Sequence, residues 1–402
     1  MDAAQKRQAL NFPKPAVAWR GEPQLGGWYT EEEIEAAVAA IRSSMDWTGE
    51  GFGFMVQEIL DFEAAFAQYT GAKHAISLST ASVGLDLAMT ALGLAPGDEV
   101  ISPAMNFRAA HHAIIGAGGK LVFCEVDPGT LCADPSDVER RITPRTRAIC
   151  VTHMNGRAAP IDDYAEIGRR HPHPEYGPIP VIGDAARAVG VDYKGGKIGS
   201  AGWCTIFSFH TMKLMTTLGE GGMVTTNDDA LADRLTAARQ WGGATEHWGS
   251  SFKLTKVQAA VGLVQLRRLD EMNGLRIRRA LERTELLRDV PELTLPPLPG
   301  ECGHTYYLYT VFVPPEWAGE KRDRIRAIML EEFAVGSEVA NPPTYDSSPH
   351  IRKHTEGQQL PATEFLAKRM ICVPIHPLMT EQQNAYAAAV LQEAVERVRA
   401  EG

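Results

Sequence analysis

The sequence predicts an α/β protein: a large, mostly parallel sheet covered by helices on both faces, then a smaller α+β domain towards the C-terminus. Three observations carry this. The chain has 402 residues, more than one hydrophobic core usually serves. Between residues 74 and 210, short apolar runs of strand length alternate with helical patterns, as in a sheet buried on both faces. From residue 256 onward comes one long helical stretch, a Pro-rich connection and a compact mixture of strand and helix.

In chain order, the first 28 residues are rich in Pro, Gly and polar side chains and read as an extended N-terminal arm. Thr30 then caps a helix. Glu33 stands three residues on, and Ile34, Val38 and Ile41 share one face. The run "DWTGEGFG" is a glycine-rich loop. Ile59, Phe62, Phe66 and Tyr69 mark a second amphipathic helix, ended by Gly71. The strands that follow are "HAISLS", "GDEVISPA", "KLVFCEV", "RAICVTH", "IPVIGDA" ending at Asp184, and "WCTIFSFH" ending at His210. Helices over 81–92 and 109–115 separate the first of them. A helix over 256–287 crosses between the domains, which divide as arm 1–28, large domain 29–270 and small domain 271–402.

The net charge of −10, with both signs interspersed, argues against broad contact with nucleic-acid phosphates or anionic lipid, and leaves room for one local anion pocket. Six cysteines are scattered without a C-x-x-C pair, several of them in apolar runs, and read as buried free thiols of a reducing compartment. No apolar run is long enough to span a bilayer and no secretory signal opens the chain, so the expected location is the cytoplasm. The paired His111–His112 and the "HPHPEYGP" loop are read as structural, with no metal site expected.

Three strand ends carry the chemistry. In "SLSTASVGL" a hydroxyl and free N–H groups at Thr80 and Ala81 open a helix, a place for a phosphate or simply a capped helix. In "VIGDAARAVG" Asp184 ends a buried strand, as a functional carboxylate or an N-cap. In "FSFHTMKLMTTLGEGG" Lys213 follows a buried strand with no acidic neighbour until Glu220. Any one of these is ordinary. Together, at neighbouring strand ends, they suit pyridoxal 5′-phosphate, with the lysine as its Schiff-base partner and the carboxylate on its ring nitrogen. Neither a G-x-x-x-x-G-K-[ST] nor a G-x-G-x-x-G motif is present.

From about residue 29 to 395 the chain resembles the DegT/DnrJ/EryC1/StrS aminotransferases. The resemblance lies in "FSFHTMKLMTTLGEGGMVTTND", "VIGDAARAVG", "DEVISPAMNFRAA", "KVQAAVGLVQLRRLDE" and "LPATEFLAKRMICVPIHPLMT". It implies the type I fold of pyridoxal-phosphate-dependent transferases, aspartate-aminotransferase-like, and a homodimer with shared active sites. It implies Lys213 as the Schiff-base lysine and Asp184 as the ring-nitrogen partner. Phe107 would stack on the cofactor ring, and Thr80, Ala81 and Ser208 would hold its phosphate. His210 is read as structural before catalytic, with a place on the substrate side as its alternative. Asn341 and Trp47 are substrate-side candidates.

The chain also departs from the family pattern. Arg187 stands where His or Gln is usual, facing either the cofactor's phenolic oxygen or an acidic substrate. Ser251 replaces an asparagine that reaches the neighbouring subunit's phosphate. Lys253 replaces an arginine, and Asn341 stands where a histidine is usual. The implied activity is amino transfer from L-glutamate or L-glutamine to a keto sugar or keto-cyclitol. The alternatives are a pyridoxal-phosphate- or pyridoxamine-phosphate-dependent deoxysugar dehydratase or lyase, and a cofactor-binding regulatory protein without turnover.

Overall fold

The computed structural model describes residues 1–22, 28–46, 48 and 53–401. Helices α1 (Ala3–Leu10), α2 (Glu31–Ser43) and α3 (Gln57–Thr70) precede the sheet. The large domain continues as β1 (His74–Leu78), α4 (Ala81–Ala91), β2 (Glu99–Pro103), α5 (Arg108–Gly116), β3 (Lys120–Cys124), α6 (Pro135–Arg141), β4 (Thr146–Thr152), α7 (Ile161–Arg170) and β5 (Val181–Asp184). A small hairpin, β6 (Asp192–Tyr193) and β7 (Gly196–Lys197), leads to β8 (Cys204–Ser208), β9 (Gly222–Thr226), α8 (Asp229–Ala238) and the long α9 (Lys256–Leu287). The remainder is β10 (Tyr309–Phe312), α10 (Glu320–Phe333), α11 (Thr344–Ser347), α12 (Pro349–His354), α13 (Pro361–Arg369), β11 (Met370–Val373) and α14 (Glu381–Ala400).

The large sheet has seven strands in the order β1-β9-β8-β5-β4-β2-β3. All neighbours from β8 to β3 are parallel, while β9 runs antiparallel between β1 and β8. Successive side chains on a strand face opposite ways, so each strand feeds two cores. Ile101, Ile149, Val151, Phe207 and Met223 enter one, with α3 and the first half of α9. Val100, Cys150, Ile182, Ile206 and Val224 enter the other, beneath α4, α5 and α8. A third core joins β10, β11, α10 and α14 to the second half of α9. Helix α9 passes residue 270 unbroken, so the expected boundary after that residue falls inside a continuous helix. All six cysteines are free, and five are buried. Among the described residues, no helix is long and apolar enough to cross a membrane.

Three expectations need correction. The N-terminal arm is not extended throughout: α1 is a helix with a capping box of its own. Asp2 accepts from Ala4 N and Gln5 N at 2.8 Å each, and Gln5 Oε1 accepts from Asp2 N at 3.1 Å. Lys6 pairs with Glu393 at 2.8 Å and with Glu396, fixing α1 to α14. Helix α2 is turned around relative to its apolar pattern. Ile34 and Ile41 are exposed, and the buried positions belong to Glu33 and Ala40. Its carboxylate takes Thr30 N at 2.7 Å, Gln265 Nε2 at 2.7 Å and Arg268 Nη1 at 2.6 Å, which makes burial of a charge tolerable. Strand β8 stops at Ser208, so His210 lies in the turn beyond it.

Candidate active site

Open parallel sheets gather ligands beyond the carboxyl ends of their strands, and several such ends converge here. The end of β1 turns directly into α4. Thr80 N-caps that helix, its Oγ1 accepting from Val83 N at 3.1 Å. The first N–H groups of the helix have no carbonyl of their own to bond. Strand β9 begins under this turn at Gly222. A Cβ there would stand 2.4 Å from Thr80 C and 2.5 Å from Ala81 N, so the approach requires glycine. Ser208 pairs with Gly222 across the ladder and therefore lies beside the same turn.

Asp184 ends β5 and Lys213 lies in the connection from β8 to β9. Both face a cavity of about 440 Å³, lined also by Thr80, Ala81, Ser82, Asn106, Phe107, Thr152, Arg187, Ser208 and His210, and by Glu22 and Asn341 from distant parts of the chain. Its size is that of a small-molecule site.

Lys213 is half-buried, and its Nζ donates to Tyr307 Oη at 3.2 Å. Burial pushes its ammonium down to about 8, and Arg187 adds to that push; Glu22, Asp184 and Glu220 oppose it. The neutral amine, the form a nucleophile requires, is therefore more accessible near neutral pH than in an ordinary lysine. Asp184 is 4% exposed and accepts only Ala186 N, at 3.1 Å, among the described residues. Burial raises its carboxyl above the usual range, against the pull of the Ala186 N–H, Lys213 and Arg187. A cation on the open side of this carboxylate would relieve that burial.

Arg187 is buried. Its Nη1 donates to Asn155 Oδ1 at 3.1 Å and its Nη2 to Asn341 Oδ1 at 3.3 Å, and Glu22 stands 3.8 Å away. Tyr307, wholly buried, donates its hydroxyl to Glu22. Phe107 is half exposed at the cavity wall. His210 is tied into the turn: its N–H bonds Ser208 Oγ at 3.3 Å, and its Nδ1 accepts from Met212 N at 3.2 Å. These bonds order the lysine-bearing turn, while His210 also lines the cavity.

The cavity suits pyridoxal phosphate. Asn106 Nδ2, Thr152 Oγ1 and Asn341 Nδ2 are buried polar atoms of lining residues with no hydrogen-bond partner among the described residues, which a polar ligand would supply. The turn at Thr80 offers N–H groups to an anion. Asp184 offers a carboxylate to a ring nitrogen, Lys213 an amine to an aldehyde, and Phe107 a flat face to a ring.

The structure thus brings Lys213, Asp184, Arg187, Phe107, Thr80, Ala81, Ser208, His210 and Asn341 to one cavity. It does not bring Ser251 there. That residue is exposed, and its Oγ accepts from Lys253 Nζ at 3.1 Å. Trp47 lies outside the described residues. Glu22, Asn106, Thr152, Asn155 and Tyr307 are site residues that sequence reasoning misses. For Asn106 a signal exists, since it directly precedes Phe107 beyond the end of β2.

Comparison with known proteins agrees with this geometry. The model of the DegT/DnrJ/EryC1/StrS aminotransferase family matches residues 29–392. GDP-perosamine synthase of Caulobacter vibrioides is 35% identical over 344 residues, covering 84% of this chain and 90% of that protein. Spore coat polysaccharide biosynthesis protein SpsC of Bacillus subtilis is 31% identical over 369 residues, covering 87% and 91%. Among solved structures, DesV of S. venezuelae superposes with a TM-score of 0.81 at 32% identity, covering 91% of this chain and 96% of its own. With the family matched across the large sheet and the elements after it, and relatives above 30% identity along most of the chain, this protein belongs to the DegT/DnrJ/EryC1/StrS aminotransferases and is a pyridoxal-phosphate-dependent enzyme of the type I fold.

Proposed function

We propose that the enzyme moves an amino group from L-glutamate or L-glutamine to a keto sugar or keto-cyclitol. The observation that carries the chemistry is that the amine of Lys213 and the buried carboxylate of Asp184 share one cavity, where burial lowers the lysine's ammonium below its usual range. The sugar class is supported by relatives named for perosamine synthesis and spore coat polysaccharide biosynthesis. When bound, pyridoxal phosphate supplies the electron sink for amino transfer. In this reading Thr80, Ala81 and Ser208 hold its phosphate, Asp184 holds a proton on its ring nitrogen, and Phe107 covers its ring. Lys213 Nζ takes the proton from the donor's α-carbon and, in the second half-reaction, delivers one to the former carbonyl carbon of the acceptor. The test is incubation of the purified protein with L-glutamate or L-glutamine against nucleotide-linked keto sugars and keto-inositols. An amine product should be found by mass in at least one reaction. Donor turnover with no aminated product anywhere in either class would refute the acceptor assignment.

The same reading includes a homodimer. Ile34, Ile41, Met45, Phe54, Trp241 and Trp248 are large apolar side chains exposed on this chain, and Phe54 packs edge-on against Trp241 at 5.1 Å. Exposed apolar contact such as that of Phe54 with Trp241 suits a protein interface. Lys253 lies over the Trp241 ring at 3.9 Å and donates to Ser251 Oγ, and in this reading Ser251 faces the partner's phosphate site. Sedimentation at micromolar concentration should give twice the chain mass. A monomer at that concentration with full activity would end the shared-site reading.

A further inference from the structure

We propose that Glu22 occupies, from within the protein, the place of a substrate carboxylate, and that Arg187, Tyr307 and Asn341 are the groups that read that carboxylate. The inference rests on the aminotransferase reading of the cavity and names how one group of its substrate is recognised.

Arg187 is a buried cation whose hydrogen bonds, to Asn155 and Asn341, go to neutral amides. Amides orient a guanidinium but do not neutralise it, and a buried charge calls for a counter-charge. The carboxylate that comes to its Nη2 is Glu22, at 3.8 Å, a separation that leaves the pair short of direct hydrogen bonding. The same carboxylate takes the hydroxyl proton of Tyr307, and Tyr307 Oη accepts from Lys213 Nζ at 3.2 Å. The carboxylate is therefore one hydroxyl away from the reacting amine. An α-amino acid carries its carboxylate on the same carbon from which Lys213 must take a proton, so the spacing suits such a substrate.

A third donor is in place. Asn341 sits in the left-handed region at φ 46°, with its Oδ1 turned to Arg187 and its Nδ2 buried without a partner among the described residues. An amide N–H beside a guanidinium N–H is a pair that a carboxylate's two oxygens can satisfy together.

Glu22 reaches this spot by backbone placement. Trp19 N donates to Ala334 O at 2.9 Å and Gly336 N donates to Trp19 O at 2.8 Å. A Cβ on Gly21 would stand 2.5 Å from Glu338 N, so glycine lets the segment lie flat there. The Glu22 side chain remains 22% exposed and can leave for water, while the cation it leaves behind is 8% exposed. An internal occupant reduces apparent affinity by the fraction of time it holds the site.

The test uses the holoenzyme and two ligands that carry no amine and cannot turn over: glutarate, standing for the donor, and a hexuronate, standing for an acidic acceptor. Binding is measured by calorimetry for wild type, Glu22→Gln, Arg187→Gln and Arg187→Lys, with thermal unfolding to confirm folding. Glu22→Gln keeps the shape and removes the competing charge, so at least one of the two ligands should bind about tenfold tighter. Arg187→Gln should lose about tenfold or more, and Arg187→Lys should recover part of it. Tightening confined to glutarate assigns the set to the amino donor, and tightening confined to the hexuronate assigns it to the acceptor. Equal affinities of wild type and Glu22→Gln for both ligands overturn the proposal, as does an Arg187→Gln that binds like wild type. Borohydride labelling of Lys213 in the same samples separates the two levels. If the label is absent, the aminotransferase reading fails; if it is present and the affinities do not move, only the role of Glu22 does.

Discussion

Lys213→Ala is expected to leave a folded protein that binds pyridoxal phosphate without covalent capture and loses on the order of 1,000-fold or more in kcat. On the proposed reading two roles disappear at once, since the same Nζ would be both the nucleophile towards the aldehyde and the base that moves the donor's α-proton. The fold should survive, because the side chain makes one neutral hydrogen bond, to Tyr307, and lies in a cavity rather than a packed core. Borohydride reduction and peptide mapping of the wild-type holoenzyme should find the pyridoxyl group on Lys213; finding it on another lysine would sink the assignment. The cofactor-free wild type adds a pH signature. With the ammonium pushed down to about 8, its labelling by an amine-reactive aryl reagent should rise with an inflection near that pH, well below the ordinary lysine range. Replacing Lys213 should remove that component and leave the high-pH lysines unchanged.

Asp184→Asn should lower kcat by about 100-fold or more while the cofactor still attaches to Lys213. Asparagine keeps the size of the side chain and can still accept the Ala186 N–H. It lacks the negative charge that, on the proposed reading, would hold a proton on the ring nitrogen in a buried setting, where the interaction is poorly screened. Asp184→Ala should be at least as damaging and should also weaken cofactor retention. Single-turnover rates with L-glutamate would check both, and turnover within a few-fold of wild type would refute the role.

Lys213 and Asp184 are legible in the sequence because a strand end fixes where a side chain emerges, and because apolar runs mark those ends. The same logic finds Thr80, while Phe107 comes from the family resemblance. It cannot find Tyr307 or Glu22. Tyr307 is 94 residues from Lys213 and 285 from Glu22, and only the docking of the last third of the chain brings them together. Tyr307 is further hidden in the continuous apolar and aromatic run "TYYLYTVFV". Tyr306 adopts φ 51°, and only Tyr309–Phe312 join a ladder. Helix α1 is masked by its context: its D-x-x-Q cap is present in the sequence, but the Pro and Gly around it dominate the composition. Helix α2 defeats periodicity for a different reason. A carboxylate with four donors takes a buried position beside Ala40, and Ile34 and Ile41 are left outward.

Strand β9 sets the order in which the enzyme can be completed on the ribosome. Strand β1 bonds to no strand but β9 in the large sheet, and β9 is made about 150 residues after β1. At ~5–20 residues per second, β1 waits roughly 7–30 s with both of its backbone edges unpaired. Until Gly222 slides beneath Thr80, the turn at the end of β1 has no floor, and the lysine-bearing connection has no far anchor. Insertion of this one strand therefore closes the sheet and assembles the anion turn and the amine in a single late event. A nascent chain halted before β9 leaves β1 without its ladder partner, however complete its other strands are.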